Sequence, residues 1–349
     1  MAKSVTIAGR VVDADHSPFI IAEMSGNHNG QIERAFALLE AAKASGANAV
    51  KLQTYTADTI TIDHDSPSFR IEGGLWHGRR LYELYQEAHT PWEWHEALFA
   101  KCRELDLTIF STPFDNSAVD FLDRLGAAAY KIASFEAIDL PLIRYASSKG
   151  KPLIISTGMA NLNEIGEAVA AAREGGCEQL ILLHCVSGYP SAASESNLRT
   201  IPDLASRFDV VTGLSDHTMG VAVPIAAIAL GASVIEKHFT LRRADGGPDA
   251  AFSLEPEELR LMVEGCGTAW EALGRVSYER APSEAKSLIF RRSLYVIADI
   301  GEGELLTEKN VRSIRPGDGL PPKYLPDVIG RRARRMLARG TALQWTDFQ

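Results

Sequence analysis

The sequence has few cysteines, no long apolar run and almost no clustering of basic residues. Four cysteines occur among its 349 residues, none in a CxxC pair, which argues against a metal knuckle or a disulfide framework. The N-terminus has no apolar signal-peptide core, and no apolar run is long enough to span a bilayer. We therefore expect a cytoplasmic protein that does not bind membranes.

Nucleic acid is not an expected partner either, because the net charge is −9. The one basic cluster is Arg-Arg-Ala-Arg-Arg at 331–335, which we predict to be the solvated face of a C-terminal helix. A glycine-rich dinucleotide fingerprint and a Walker-type loop are also missing. A doubly wound sheet is therefore disfavoured, and nucleoside triphosphate hydrolysis is not supported.

The sequence does contain a regular alternation of short apolar runs and helical segments. The predicted strands are 19–24, 49–53, 108–111, 129–132, 153–156, 180–184, 210–214 and 234–238. Eight such units favour a (β/α)₈ TIM barrel. The connection between 54 and 90 is long enough to indicate a loop that serves the active site or a partner.

The pattern changes after the helix predicted at 255–273. A strand at 292–297 and a proline- and glycine-rich loop at 315–322 indicate a small β-rich domain. We place the barrel at 1–275, a linker at 276–289 and the second domain at 290–349.

Two histidines lie at the ends of consecutive predicted strands: His217 follows the strand at 210–214, and His238 is the last residue of the strand at 234–238. In a parallel barrel they would share one mouth, where neutral imidazoles bind divalent metals. Two protein ligands leave positions open for water and substrate, which favours a Lewis acid over a structural ion. Rim residues with only a structural role are the alternative.

Other polar residues at the predicted strand ends suggest an anionic substrate. Lys51 and Lys131 lie among apolar neighbours and need anionic partners. A phosphate or carboxylate substrate would serve, as would ion pairs with Glu23, Glu136 or Glu236. An anion cradle could be completed by hydroxyls at Ser111, Thr112, Ser134, Ser156, Thr157 and Ser215.

Carboxyl groups supply the acid–base candidates. Glu23 and Glu136 could exchange protons at a mouth of mixed charge, although Glu23 could equally balance the lysines. Asp249 could bind sugar hydroxyls or be an ordinary turn residue.

Several of these stretches together resemble the sialic acid synthase family, enzymes that condense phosphoenolpyruvate with an N-acetylated sugar aldehyde. The matching segments are 21–28 (IAEMSGNH), 51–55 (KLQTY), 111–114 (STPF), 130–136 (YKIASFE), 213–217 (GLSDH) and 235–239 (IEKHF). Segments 292–295 and 311–317 resemble the family's antifreeze-like (SAF) domain. Within the family, the chain is most similar to the pseudaminic acid synthase branch through 73–76 (GGLW) and through Ser187, where other branches carry asparagine.

The resemblance implies a role for each matching position. His217 and His238 would hold manganese, with magnesium or cobalt as alternatives, against the sugar aldehyde, and Glu23 and Glu136 would handle protons. Phosphoenolpyruvate would contact Lys51, Thr112, Lys131, Ser134, Ser156, Ser187 and Ser215. A diacetamido-trideoxy hexose would face Gln53, Tyr189 and Asp249, and Glu236 also belongs to the substrate-binding set. Arg315 would enter the mouth from the partner subunit of a domain-swapped homodimer.

Four alternatives remain open at this point. The acceptor sugar could be N-acetylmannosamine or the legionaminate precursor. A Schiff-base aldolase could use Lys131 or Lys51. A protein without catalysis could bind sugar or ice through its small domain.

Overall fold

A computed structural model describes residues 3–349 of the chain. The chain divides into two compact units, Met1–Gly274 and Arg275–Gln349. Each unit has its own apolar core.

The first unit opens with a short antiparallel hairpin of β1 (Val5–Ile7) and β2 (Arg10–Val12). Ala8 and Gly9 connect the strands with φ angles of 48° and 81°, the positive values that a tight two-residue hairpin needs. The apolar side chains of the hairpin pack with side chains from the lower barrel interior. One end of the barrel is thereby filled, which leaves the carboxyl ends of the strands for a site.

Eight parallel strands close into a barrel, as predicted. They are β3 (Phe19–Glu23), β4 (Ala49–Thr54), β5 (Thr108–Pro113), β6 (Tyr130–Ile132), β7 (Leu153–Ser156), β8 (Leu180–Cys185), β9 (Val211–Asp216) and β10 (Val234–His238). The barrel closes where β10 pairs with β3, with His238 opposite Glu23. Glu23 in turn lies opposite Lys51, so the strand ends that carry ionisable residues reach the same level.

Helices surround the barrel and cover its apolar outer face. They are α1 (Ile32–Ala44), α2 (Ala57–Ile60), α3 (Leu81–Ala88), α4 (His95–Glu104), α5 (Asn116–Arg124), α6 (Leu140–Ser147), α7 (Leu162–Glu174), α8 (Thr200–Phe208), α9 (Ala222–Ala229) and α10 (Pro256–Leu273). The long connection after β4 contains α2 and α3. Across residues 3–349, every helix is too short or too polar to cross a membrane.

The second unit contains β11 (Ser293–Val296), β12 (Val311–Ile314) and α11 (Leu325–Val328) around a small core. A 3₁₀ helix at Pro282–Phe290 precedes β11. The predicted helix at 331–335 is wrong. Ala333 is buried and pairs with Phe348 in a β-bridge, while the flanking arginines are exposed. Arg332 also forms a β-bridge, with Leu305, so this segment is extended backbone and not a helix.

Candidate active site

Strand alternation decides which polar residues face the barrel interior. Glu23, Lys51, Thr112 and Glu236 turn inward and are joined at the mouth through the Lys51 ammonium, while their neighbours along each strand turn outward. His238, two residues after Glu236 on β10, lies on the same face of its strand. Ser111, for example, bonds the outward-facing Thr54 at 2.6 Å. Thr157 is also committed elsewhere, because its hydroxyl donates to the Leu183 carbonyl at 3.2 Å. The expectation that Ser111 and Thr157 belong to the anion cradle is therefore not met.

Both buried lysines are paired with carboxylates. The Lys51 ammonium lies 2.8 Å from Glu23 and 3.7 Å from Glu236, and it donates to the Thr112 hydroxyl at 3.1 Å. The Lys131 ammonium has one carboxylate, Glu236, at 3.6 Å. The internal ion pairs left open by the sequence are therefore present, and Glu23 does balance Lys51. Lys131 is the less compensated cation.

The pKa values of these groups show the same difference. Burial lowers the pKa of Lys131 more than Glu236 raises it. Burial also disfavours the charged form of Lys51, but Glu23 and Glu236 outweigh it and leave the pKa of Lys51 raised. An anion arriving beside Lys131 would supply a second anionic partner and raise the pKa of this lysine.

Glu136 has the environment expected of a proton-transfer group. It lies in a 3₁₀ turn just after β6, and burial raises its pKa to about 7. Among the described residues, its buried Oε2 has no hydrogen-bond partner. A carboxyl that changes protonation near neutral pH, with a free oxygen, can accept or donate a proton. Glu23 also has a raised pKa through burial, opposed by Lys51.

Serine hydroxyls gather beside the mouth next to the backbone of Gly158. The Gly158 N–H donates to the Ser134 hydroxyl at 3.1 Å. A Cβ placed on Gly158 would lie 2.3 Å from the Ser187 hydroxyl and 2.7 Å from that of Ser134. The buried Ser156 hydroxyl has no partner within residues 3–349. Ser215 donates to Glu236 at 3.4 Å, which connects the hydroxyls to the charged cluster.

The two histidines predicted to hold a metal are neighbours, with ring centroids 5.4 Å apart. His217 Nδ1 donates to the Val186 carbonyl at 2.9 Å, so Nε2 has its lone pair free. His238 Nδ1 is buried and has no hydrogen-bond partner in the described part of the chain. The Asp249 carboxylate is 3.9 Å from that nitrogen.

These imidazoles fit a metal ion as a two-ligand set. Burial and the neighbouring His217 hold the pKa of His238 well below its usual value, so this ring is neutral and able to bind a metal. The pKa of His217 is raised, because Cys185 and the Val186 carbonyl outweigh burial, so protons would compete with a metal for this imidazole as the pH falls. No cluster of three or more His, Cys, Asp or Glu suited to a metal occurs among residues 3–349. Water and substrate would have to complete the coordination.

Three aromatic side chains pack beside the histidines and form an aromatic wall: Tyr189, Phe252 and Trp76. The Tyr189 ring is 4.4 Å from His217 and 5.3 Å from Phe252, between ring centroids. Phe252 is 4.9 Å from His238, and Trp76 is 5.7 Å from Tyr189 on the other side. Sequence reasoning assigned a site position to Tyr189 but not to Phe252 or Trp76.

A polar chain borders the same region. Gln53 donates to Glu23 at 2.9 Å and to the Ser25 hydroxyl at 3.1 Å, and Ser25 donates to Asp249. Ser25 was not predicted, although it lies two residues after Glu23 and the same strand-end argument would have included it. Arg315 belongs to the second unit, where its exposed side chain follows β12.

A closed parallel barrel with buried lysines, hydroxyls and imidazoles at its carboxyl end is the arrangement of a TIM-barrel enzyme. Comparison with known proteins makes this more specific. The NeuB family model matches residues 38–278, and the SAF domain model matches residues 291–349. The chain belongs to the NeuB family.

Relatives cover both units. The chain is 42% identical to pseudaminic acid synthase of Campylobacter jejuni over 97% of its own length and 98% of the relative's. It is 44% identical to pseudaminic acid synthase of Helicobacter pylori, with 95% and 98% covered. A crystal structure of N-acetylneuraminic acid synthetase from Leptospira borgpetersenii superposes with a TM-score of 0.74 at 30% identity, covering 82% of this chain and 96% of the other.

Proposed function

We propose that the chain is a pseudaminic acid synthase. It condenses phosphoenolpyruvate with 2,4-diacetamido-2,4,6-trideoxy-L-altrose and water, and releases phosphate. The observation that carries this proposal is the adjacency, in one mouth, of an undercompensated lysine with free hydroxyls and a buried pair of imidazoles. The identity of 42–44% to the pseudaminic acid synthases, against 30% to the N-acetylneuraminic acid synthetase, supports the choice of sugar.

Phosphoenolpyruvate would bind beside Lys131, the buried lysine with the fewer carboxylate partners. Lys131 has only Glu236 at 3.6 Å as a carboxylate partner. Ser156 ends the neighbouring strand β7, and Ser134 and Ser187 lie on the loops after β6 and β8. Lys51, Thr112 and Ser215 border the same volume. Charge-assisted hydrogen bonds from lysines and hydroxyls suit phosphate and carboxylate oxygens, and burial strengthens them.

The sugar would lie beside the histidines, against Gln53, Tyr189 and Asp249. A divalent ion, Mn²⁺ with Mg²⁺ or Co²⁺ as alternatives, would be held by His217 and His238. When bound there, it supplies Lewis-acid polarisation of the aldehyde oxygen.

The residues of the chain account for the remaining steps. The methylene carbon of phosphoenolpyruvate forms a bond to the aldehyde carbon, and Glu23 is the candidate donor of the proton that the aldehyde oxygen takes up. Water adds to the oxocarbenium carbon that remains and gives a proton to Glu136. The bond between this carbon and the phosphate oxygen then breaks, the hydroxyl proton of the tetrahedral intermediate leaves with the phosphate, and a nine-carbon 2-keto acid remains. Lys51 and Lys131 stabilise the negative charge of the phosphate and carboxylate.

Parallel assays with three sugars test the proposal. The enzyme is incubated with phosphoenolpyruvate and the diacetamido-trideoxy sugar, N-acetylmannosamine or the legionaminate precursor, and products are identified by mass and proton NMR. Preferential turnover of the diacetamido-altrose is expected, and preference for either rival sugar would overturn the assignment. A covalent adduct after borohydride treatment with the keto-acid product would instead indicate a Schiff-base aldolase.

The metal role is tested by His238→Ala, with the exposed His64→Ala as the matched control. The first variant should lose Mn²⁺ binding, measured by electron paramagnetic resonance of the chelator-treated protein, together with turnover. The second should retain both. Full activity of His238→Ala in chelator-treated buffer without added ion would contradict the metal role.

We also propose that the enzyme is a domain-swapped homodimer in which Arg315 completes the partner's mouth. In support, the loops that follow β6, β7 and β9 carry exposed apolar side chains, namely Phe135, Ile138, Met159 and Met219. Because all four follow the carboxyl ends of strands, they lie at the same end of the barrel, and apolar groups exposed together at one end are typical of a surface that another protein covers. Arg315 is itself exposed.

Subunit complementation tests this arrangement. His238→Ala and Arg315→Ala should each be inactive alone. The two variants are then mixed so that subunits exchange. If the second unit of one subunit serves the barrel of the other, each mixed dimer has one mouth with both His238 and Arg315, and activity returns. Continued inactivity of the mixture, once exchange is demonstrated with tagged subunits, would contradict the swap. A protein that only binds sugar or ice through its small domain would show no turnover as the wild type, as either variant or in the mixture.

A further inference from the structure

The long connection between β4 and α4 contains a hairpin at residues 70–80. Its arms are joined by a bridge between Arg70 and Arg80 and by backbone hydrogen bonds between Ile71 and Arg79 (2.9 Å) and between Gly78 and Ile71 (2.8 Å). Residues 72–75, 77 and 78 are exposed, whereas Trp76 is partly buried. The hairpin therefore presents one large aromatic side chain to the rest of the barrel unit.

Trp76 is the outermost member of the aromatic wall beside the histidines. Its indole N–H donates to the Pro248 carbonyl at 2.9 Å, next to Asp249. Its ring is 5.7 Å from Tyr189, which packs on His217. Trp76 therefore touches both the tyrosine and the loop that we assign to the sugar.

We propose that Trp76 is a specificity-determining residue that selects a sugar with a methyl group at C6 and a second acetamido group. This inference rests on the proposed function. A methyl group and an acetyl methyl gain from contact with an indole face, because both surfaces leave water. A hydroxymethyl group in the same place loses hydrogen bonds to water that the aromatic wall does not replace.

The test compares Trp76→Ala and Trp76→Phe with Leu75→Ala, an exposed neighbour on the same hairpin. For each protein, kcat/KM is measured with the diacetamido-trideoxy sugar and with N-acetylmannosamine, together with the KM for phosphoenolpyruvate. Trp76→Ala should lower the preference for the diacetamido sugar by about 10- to 100-fold, mainly through its KM. The KM for phosphoenolpyruvate should stay within about two-fold, since the aromatic wall lies on the sugar side.

Trp76→Phe separates the contributions of the aromatic face and the N–H group, and Leu75→Ala controls for general effects on the hairpin. Trp76→Phe keeps an aromatic face but loses the N–H, so it should retain part of the preference, and Leu75→Ala should match the wild type. Tryptophan fluorescence of the enzyme with phosphoenolpyruvate bound should change when the diacetamido sugar is added, and this response should be smaller in Trp76→Phe.

The outcomes distinguish this inference from the proposed function. If the wild type turns over the diacetamido sugar but Trp76→Ala keeps the wild-type preference, Trp76 has no role in specificity. An equal loss for both sugars would mean that Trp76 only holds the Asp249 loop, and it would also overturn the inference. If the wild type prefers N-acetylmannosamine, the proposed function fails and the stated direction of selection fails with it. If it prefers the legionaminate precursor, which also has a C6 methyl and two acetamido groups, the proposed function fails, and the role of Trp76 is then decided by the same variants with that sugar.

Discussion

A buried ion pair on the outer side of the strand ends joins β9 to β10, and its loss should lower the stability of the barrel strongly. Lys237 lies between Glu236 and His238, and its ammonium donates to the Asp216 carboxylate and to the Thr218 carbonyl. Lys237 is 1% exposed and Asp216 is 3% exposed. The Asp216 carboxylate also accepts from the Thr218 N–H at 3.1 Å and hydroxyl at 3.0 Å. The pair therefore joins the ends of β9 and β10.

Lys237→Met should destabilise the barrel strongly. The change keeps most of the side-chain volume but leaves the Asp216 charge buried with only neutral donors, which costs about 3–5 kcal/mol. A barrel of this size should then lose on the order of 10 °C in melting temperature. The double change Lys237→Met with Asp216→Asn removes both charges, so it should be more stable than Lys237→Met alone by about 2 kcal/mol.

Urea unfolding followed by circular dichroism measures these free energies in the full chain. Arg207→Met is the control, because the Arg207–Asp203 pair is exposed on α8 and its loss should cost less than about 1 kcal/mol. The reasoning would be refuted if the free energy of unfolding of Lys237→Met were within about 1 kcal/mol of the wild-type value, because an uncompensated buried charge on Asp216 should cost more than that. A double variant no more stable than Lys237→Met would refute it equally.

Two further predictions concern the reaction. Burial raises the pKa of Glu136 to about 7, and its ionised form accepts the proton from water, so kcat/KM should rise with pH through neutrality. Glu136→Gln should abolish this rise and lower the rate by at least about 100-fold. A wild-type profile of kcat/KM that falls through pH 7 would contradict the base role. Gly158→Ala places a Cβ 2.3 Å from the Ser187 hydroxyl, so steady-state assays should show the KM for phosphoenolpyruvate raised about ten-fold. Its control is Gly166→Ala on α7, where the nearest atom is 3.9 Å away; equal effects of the two changes would argue against a subsite at Gly158.

The barrel and much of its mouth could be predicted because both depend on local patterns. Each apolar run of four to six residues becomes a strand buried on both faces, and parallel closure then collects the residues at the strand ends. The strands at Leu153–Ser156 and Val234–His238 have the predicted bounds. Lys51, Lys131 and Glu236 were predicted by the same rule, and both lysines do pair with Glu236.

The errors arose where neighbouring residues are chemically alike. Ser111 and Thr112 are consecutive hydroxyl residues, and only the direction of the pleat separates the one that bonds Thr54 from the one that contacts Lys51. The arginines at 331–335 were predicted to form a helix face because four of the five residues are charged, and the segment has no hydrophobic periodicity that would indicate its bridges to Leu305 and Phe348.

The sequence by itself determined the barrel, the β-rich second domain and the set of strand-end residues, because these follow from hydrophobic periodicity and motif resemblance. Only the tertiary structure decided which groups pair and which remain free. The undercompensated charge of Lys131, the raised pKa of Glu136 and the contact of Trp76 with Tyr189 depend on burial and on residues far apart in the chain. Desolvation and long-range packing have no local signature, so these properties exist only once the barrel has closed.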